Sequence, residues 1–257
     1  MPAAPRPYLL NELTWKTVRD TRYEVAVLPW GATEAHNLHL PYGTDNIQAD
    51  EVAARAAARA WQRGAKVVVL PCLPFGVNTG QLDIPLCINM NPSTQALVLR
   101  DVAMSLAGQG IAKLVIFNGH GANDFRQMIR ELQPQLSLFL CTVNWYKVVD
   151  PKRFFADPLG DHAGELETSV MQHIAADLVL PLSEAGDGSA RTFKIAAFRE
   201  GWAWAPRNWR QVTDDTGSGN PSASTPEKGK RYIEAVTDKI AEFFVALAKA
   251  DTAKLYE

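Results

Sequence analysis

The sequence has 257 residues, of which 47% are hydrophobic and 21% are charged. Its net charge of -2 excludes the broad positive field that would draw it to nucleic acid or an anionic membrane. No apolar run approaches the ~20 residues of a membrane span, and the first seven residues do not resemble a secretion signal. Three scattered cysteines (Cys72, Cys87 and Cys141) suit reduced thiols rather than a disulfide framework. We therefore expect one cytoplasmic domain over residues 1–257.

Short apolar segments alternate with longer helical segments along the chain. Strands are predicted at residues 23–29, 66–70, 113–117 and 136–143, and helices at 45–63, 93–108, 123–132, 165–178 and 227–249. Strands rich in Val, Ile and Leu that are separated by helices indicate an α/β fold with a mostly parallel sheet covered on both faces. In such folds, ligands bind at the carboxyl ends of the strands.

Two irregular segments, 72–91 and 205–226, are rich in Pro, Gly, Ser and Asn. Each is longer than a plain connection requires, so each is a candidate for the rim of an active site or for a subunit contact. A third irregular segment, 150–161, precedes the helix predicted to begin at residue 165.

The first polar cluster directly follows the first predicted strand. Glu34, His36, His39 and Asp45 fall within 12 residues. Because residues i and i+2 of an extended loop point the same way, Glu34 and His36 can reach one point above the sheet edge. Asp45 opens the next helix, where a carboxylate either caps backbone N–H groups or bridges two metal ions. Together, these residue types at the end of a strand indicate a metal site.

Two further clusters lie later in the chain. His120 stands between glycines directly after the third predicted strand, which places its imidazole at the same edge of a parallel sheet. The segment 161–169 (D-H-A-G-E-L-E-T-S) opens a helix. The helix dipole explains one acidic residue there, but it disfavours a protonated His162. We interpret His162 as an acid/base group or a ligand.

The clusters match the motifs of a known family. Residues 31–45 read G-A-T-E-A-H-N-L-H-L-P-Y-G-T-D, residues 118–123 read N-G-H-G-A-N, and residues 162–169 read H-A-G-E-L-E-T-S. These segments, with a fourth at 217–229, resemble in sequence and in order the motifs of the creatininase (creatinine amidohydrolase) family. The resemblance implies a three-layer α/β/α sandwich, two divalent metal ions that share an aspartate, and assembly as a hexamer.

The resemblance also implies roles for individual residues. Glu34, Asp45 and His120 would hold one metal ion, and His36 and Asp45 would hold the other. His162 would move protons, and Glu34 would serve both as a ligand and in catalysis. Mixed carboxylate and imidazole ligands suit Zn²⁺ as the first choice, with Mn²⁺ or Fe²⁺ as alternatives.

One ligand position departs from the family pattern. Creatininase carries a glutamate, a ligand of the second metal ion, two residues after the histidine of its second motif, where this chain has Ala122. We expect Glu165 to replace it, with Glu167 as the alternative. His39, Trp145 and Gly121 are expected to bind substrate. Four tryptophans could wall the pocket or, equally, serve in core or subunit packing: Trp145, Trp202, Trp204 and Trp209.

The expected function is metal-dependent hydrolysis of a C–N bond in a small cyclic amide or a formamide, by a hydroxide that bridges the metal ions. One alternative keeps the fold and acts on a keto-inositol or keto-sugar ring by C–C cleavage, or on a peptide end. An alternative of another class is a metal-free module that binds small molecules. The expected partners are a small-molecule substrate and further copies of the chain, with no nucleic acid and no membrane.

Overall fold

The computed structural model describes residues 4–156 and 160–257. Its sheet has four strands: β1 (Val25–Trp30), β2 (Val67–Val69), β3 (Lys113–Asn118) and β4 (Phe139–Asn144). Their order is β2-β1-β3-β4, and every neighbouring pair is parallel. The predicted parallel sheet is therefore confirmed.

Eight α-helices are present among the described residues. They are α1 (Trp15–Arg19), α2 (Thr44–Gln62), α3 (Pro92–Gly108), α4 (Arg126–Leu132), α5 (Glu165–Ile174), α6 (Ala196–Arg199), α7 (Trp209–Val212) and α8 (Pro226–Lys249). Short 3-10 turns occur at Leu10–Glu12, Thr79–Gln81, Gln133–Gln135, Trp145–Lys147, Pro151–Arg153, Ala176–Leu178 and Leu182–Glu184.

The strands bury alternate side chains in two cores, one on each face of the sheet. Val25 and Val27 pack with residues of α2 and α8, whereas Ala26 and Leu28 pack with residues of α3 and α4. This alternation follows from the two-residue period of a β-strand. The sheet thus lies between two helical layers, and the three-layer α/β/α prediction is confirmed.

The structure differs from the predicted elements mainly at helix ends. Helix α5 ends at Ile174 rather than at residue 178, because Ala175 leaves the helical region (φ -149°, ψ 50°). Helices α1, α6 and α7 were not predicted, since four or five residues are too few to show a helical period. Of the irregular segment predicted at 150–161, residues 157–159 lie outside the described residues. Over residues 4–156 and 160–257, no helix combines the length and apolar character that crossing a membrane requires.

Candidate metal centre

The carboxyl ends of β1 and β3 bring the first two polar clusters together. The strands pair in parallel register, with Trp30 opposite Asn118 at their ends. The loop after β1 carries Glu34 and His36, and the loop after β3 carries His120. Helix α2 begins directly after the first of these loops, so three polar segments meet at one edge of the sheet.

The first ligand group consists of Glu34, Asp45 and His120. Nδ1 of His120 lies 2.8 Å from Oε1 of Glu34 and 2.9 Å from Oδ2 of Asp45. All three side chains are buried, and one ligand atom from each lies within 4.8 Å of the others. The group therefore has the types and spacing of ligands that a single metal ion requires.

The second ligand group consists of His36, Asp45 and Glu167, whose ligand atoms also lie within 4.8 Å of one another. Nε2 of His36 lies 3.1 Å from Oδ1 of Asp45. Asp45 therefore directs one carboxylate oxygen to His36 and the other to His120. A carboxylate placed in this way can join two metal ions.

His162 borders both groups. Its Nδ1 lies 3.9 Å from Oε1 of Glu34, and its ring centroid lies 4.2 Å from that of His36. Glu34, His36 and His162 form a third set of potential ligands. The geometry therefore allows His162 to act either on a substrate or as a ligand.

Backbone carbonyls orient the three imidazoles. Nδ1 of His36 donates to the Glu34 carbonyl at 3.2 Å, Nε2 of His120 to the Val77 carbonyl at 3.0 Å, and Nε2 of His162 to the Ala35 carbonyl at 2.8 Å. Because a carbonyl only accepts, these nitrogens carry the protons. The opposite nitrogens point into the cluster, as in histidines that bind metals.

The charge and the donor set of the cluster fit divalent cations. Glu34, Asp45 and Glu167 converge, and within the two described stretches of chain the ion pairs of Glu34 and Asp45 are all with histidines. Oε1 of Glu34 is buried and faces the imidazoles of His120 and His162. Carboxylate and imidazole ligands together suit Zn²⁺, Mn²⁺ or Fe²⁺, and each of the two groups has residues of the types that would hold such an ion.

Protons compete with metal ions for this cluster. Burial alone would lower the pKa of His36, but the adjacent Asp45 carboxylate outweighs it and raises this pKa to about 10. Burial of Glu167 raises the pKa of its carboxyl group to about 7. Burial would likewise lower the pKa of His120, but the Glu34 and Asp45 carboxylates raise it well above its ordinary value. At neutral pH the metal-free protein therefore holds protons on His36 and His120 and part of one on Glu167.

Metal binding is expected to release protons and to strengthen with pH, because ligands must be deprotonated. Raising the pH from about 6 to about 8 should increase the affinity for Zn²⁺ as Glu167 ionises and as the proton on His36 becomes easier to displace. Calorimetric titration of the metal-free protein with Zn²⁺, in buffers with different ionisation enthalpies, measures the protons released. Heats that are independent of the buffer would contradict this expectation.

Glu165, the expected replacement ligand, does not lie in the cluster. Its Oε2 accepts a hydrogen bond from the Ala156 N–H at 2.8 Å, and its Oε1 pairs with Lys228. Two residues on an α-helix point about 200° apart, so Glu165 and Glu167 cannot both face the cluster. We therefore propose the alternative, Glu167, as the ligand in place of Glu165.

Two of the three expected substrate-binding residues are buried elsewhere. His39 is fully covered, and its Nε2 lies 2.9 Å from the Thr168 hydroxyl, which fastens its loop to α5. Trp145 packs in the core against Tyr232. These contacts favour a packing role for both, and their substrate-binding role remains a prediction. Gly121 is exposed with open space beside it, and its role remains a prediction.

Two neighbours of the cluster come from irregular segments: the sequence indicated Trp209 as one of four tryptophans that could wall the pocket, and it gave Gln81 no role of its own. The ring of Trp209 lies 4.7 Å from that of His162. The guanidinium of Arg207 lies over the ring of Trp209, 4.8 Å from its centroid. Gln81 donates a hydrogen bond to the Glu34 carboxylate. Gln81 and Trp209 come from the two segments expected to form either the rim of the site or a subunit contact.

A parallel sheet with clustered carboxylate and imidazole groups at its carboxyl edge has the arrangement of an α/β hydrolytic enzyme. The model of the creatininase family, described as creatinine amidohydrolase, matches residues 11–244. The chain belongs to the creatininase family of hydrolases, as its motifs predicted.

Relatives within this family carry different names. A solved structure of a creatinine amidohydrolase homologue from Bacteroides fragilis is 44% identical, with a TM-score of 0.92 over 98% of this chain and 99% of that one. The mycofactocin precursor peptide peptidase of Mycolicibacterium smegmatis is 30% identical over 85% of this chain and 83% of its own length. The creatinine amidohydrolase of Pseudomonas putida is 30% identical over 66% of this chain and 73% of its own length.

Proposed function

We propose that this hydrolase cleaves a C–N amide bond and that it uses two divalent cations. One cation is held by Glu34, Asp45 and His120, and the other by His36, Asp45 and Glu167. The observation that carries the proposal is the position of Asp45, whose two carboxylate oxygens face different histidines. Zn²⁺ is the preferred ion, with Mn²⁺ or Fe²⁺ as alternatives.

A pair of divalent cations, when bound, lowers the pKa of water and polarises a substrate carbonyl. The protein supplies orientation. The carbonyls of Glu34 and Val77 hold the rings of His36 and His120, and the Ala163 N–H donates to the Glu167 carboxylate. These contacts fix the ligands before substrate arrives, so little reorganisation is needed at the moment of reaction.

His162 is placed to move a proton. Burial, assisted by the neighbouring His36, lowers the pKa of His162 to about 4, so its imidazole is neutral at neutral pH. Its Nε2–H is held by the Ala35 carbonyl, which leaves the Nδ1 lone pair facing the cluster. His162 therefore accepts a proton at Nδ1 and returns it to the departing nitrogen. The ring of Trp209 covers His162 and limits the access of bulk water.

Replacing His162 with glutamine should keep both cations and lower kcat by about 10²–10⁴-fold, the usual contribution of general acid–base catalysis. Metal analysis and steady-state kinetics on the same preparations measure the two effects. His173→Gln is the control, because His173 lies in α5, the helix that follows His162, and contacts Arg55 rather than the cluster. Loss of a cation from the His162→Gln variant would instead assign His162 as a ligand.

The preferred substrate is a small cyclic amide or a formamide. The ligands are buried, so a small substrate reaches them more readily than a bulky one. The P. putida relative is named a creatinine amidohydrolase. These observations favour a small substrate.

A peptide end is the second candidate. The relatives named peptidases match 82–85% of this chain, more than the 66% matched by the creatinine amidohydrolase. Peptide hydrolysis also breaks a C–N bond, so the same cluster serves both reactions. Only the shape of the rim around the site would determine whether a small amide or a peptide end is the substrate.

A substrate panel tests these possibilities. Cyclic amides, formamides, short peptides and keto-inositols are incubated with the Zn²⁺-loaded protein, and the release of ammonia or amine is measured. Turnover of a cyclic amide or formamide supports the preferred reaction, and turnover of peptides alone supports the second candidate. Ring opening of a keto-inositol alone would overturn C–N hydrolysis. Binding of a panel compound without metal or turnover would favour a metal-free binding module.

We also propose that the chain acts in the cytoplasm as a homo-oligomer, a hexamer by family resemblance. Several large apolar side chains are exposed, including Leu86, Trp202 and Trp204 at 81%, 76% and 84%. Burial of such side chains between subunits removes apolar surface from water. Light scattering coupled to size-exclusion chromatography measures the assembly directly, and a monomer at all concentrations would contradict the proposal.

A further inference from the structure

A closed ring of hydrogen bonds lies directly behind Glu34. The Ala35 N–H donates to Sγ of Cys87 at 3.2 Å, and the Cys87 thiol donates to Oε1 of Gln81 at 3.1 Å. Nε2 of Gln81 then donates to Oε2 of Glu34. Because Glu34 and Ala35 are consecutive, these contacts tie the Glu34 carboxylate to the backbone of the next residue.

The groups at the two ends of this series of hydrogen bonds determine which atom donates and which accepts in each bond. A backbone N–H only donates, and an ionised carboxylate only accepts. Cys87 must therefore receive the Ala35 N–H and use its own S–H toward Oε1 of Gln81. This leaves the amide nitrogen of Gln81 to face Glu34, so the ring allows one orientation of the Gln81 amide.

The segment that carries Gln81 and Cys87 is anchored to the loop that carries Glu34. The Ile88 N–H donates to the Thr33 carbonyl at 3.0 Å, and the Tyr42 hydroxyl donates to the Pro85 carbonyl at 2.7 Å. The side chain of Gln81 is buried, with 1% of the residue exposed. The amide of Gln81 is therefore held in place and is not free to follow a displaced carboxylate.

This arrangement selects which oxygen of Glu34 faces the cluster. Oε2 is occupied by Gln81, so Oε1 remains directed at His120, 2.8 Å away. An amide achieves this without a positive charge, whereas a lysine or arginine at the same point would repel a cation. A neutral donor thus orients the ligand and preserves its full negative charge for the metal ion.

We propose that Gln81 is a positioning residue for Glu34 and that Cys87 holds Gln81 in its orientation. The proposal rests on the proposed metal-dependent function and deepens it. Partners that orient a metal ligand typically change metal affinity or activity by about 10–100-fold when they are removed. The binding of Zn²⁺ to the metal-free protein is therefore measured alongside kcat and KM.

Gln81→Leu should weaken the binding of one of the two Zn²⁺ ions by about 10–100-fold and lower kcat more than it raises KM. Cys87→Ala should produce a smaller change in the same direction, since Gln81 loses its orientation but not its amide. Cys87→Ser should restore most of the affinity lost in Cys87→Ala, because a hydroxyl also accepts from Ala35 and donates to Gln81. The matched control is Cys141→Ala, whose thiol lies on β4 beside the Leu114 carbonyl.

The outcomes separate this proposal from the proposed function. Wild-type protein that binds no Zn²⁺ would overturn the function and the positioning role together. Two Zn²⁺ ions bound equally tightly by wild type and by Gln81→Leu, with unchanged kcat, would overturn the positioning role alone. Equal losses in Cys87→Ala and Cys87→Ser would overturn the role of Cys87. The two cysteine variants remove few atoms, so the test remains available if Gln81→Leu does not fold.

Discussion

Replacing Asp45 with alanine is expected to release both cations and to lower kcat/KM by about 10³-fold or more. Each ligand group would retain two protein ligands, fewer than the three of a typical catalytic metal site. Transition-state stabilisation by metal ions amounts to several kcal/mol, and about 4 kcal/mol corresponds to 10³-fold in rate. Metal analysis after gel filtration and steady-state kinetics together measure the effect.

Asp50→Ala provides the matched control for Asp45→Ala. Both residues lie in α2, but Asp50 is exposed and outside both ligand groups. The control should keep two cations and wild-type kcat/KM, which separates the loss of a ligand from a general effect on the helix. Retention of one tightly bound cation by Asp45→Ala would contradict a carboxylate shared between two ions.

Replacing each of the two glutamates at the start of α5 with glutamine, one at a time, should have opposite effects on metal content. Glu167→Gln removes a charged ligand of the second group, so we expect loss of one cation and a fall in kcat/KM of about 10²–10³-fold. Glu165→Gln should keep both cations, because its carboxylate faces Lys228 and the Ala156 N–H. The two variants differ by two positions in one helix, so each serves as the control for the other.

A separate effect on stability is expected from Glu165→Gln. The Glu165 side chain is buried and that of Lys228 is one-quarter exposed, so the variant leaves a partly buried ammonium group without its carboxylate. A loss of about 1–3 kcal/mol in the free energy of unfolding follows, and denaturant unfolding measures it. Loss of a cation from Glu165→Gln, with both retained by Glu167→Gln, would restore Glu165 as the ligand.

The fold could be predicted because its strands are buried on both faces. Val67, Val68 and Val69 form a continuous apolar run, which is typical of a central parallel strand. The long helices have clear beginnings and ends, as at Gly64 after α2, which adopts a positive φ of 90°. Short helices such as Trp209–Val212 depend on tertiary contacts, and their sequences carry no period that identifies them.

The candidate site was predictable where its residues are close in sequence or follow paired strands. Glu34, His36 and Asp45 share one loop and the first turn of the helix after it, and His120 follows the strand next to theirs. The start of α5 at residue 165 was predicted and is confirmed. The choice between Glu165 and Glu167 required the side of α5 that faces the cluster, which is set by the packing of α5 against α2 and α8.

The contacts of Gln81 and Trp209 could not be predicted for a different reason. They depend on how two irregular segments fold against the site. Gln81, for example, is 47 positions from Glu34 in sequence. Neither segment has a strand or helix period that fixes the direction of a side chain. Composition indicated both segments as candidates for a rim or a subunit contact, and only the packed structure shows which residues reach inward.

The most direct test of the account is a crystal structure of the protein with Zn²⁺, with anomalous scattering measured on both sides of the zinc absorption edge. The account predicts two anomalous peaks. One lies among Glu34, Asp45 and His120, the other lies among His36, Asp45 and Glu167, and Asp45 contacts both. A single peak, peaks away from these residues, or a Zn²⁺ ion held by Glu165 would contradict it.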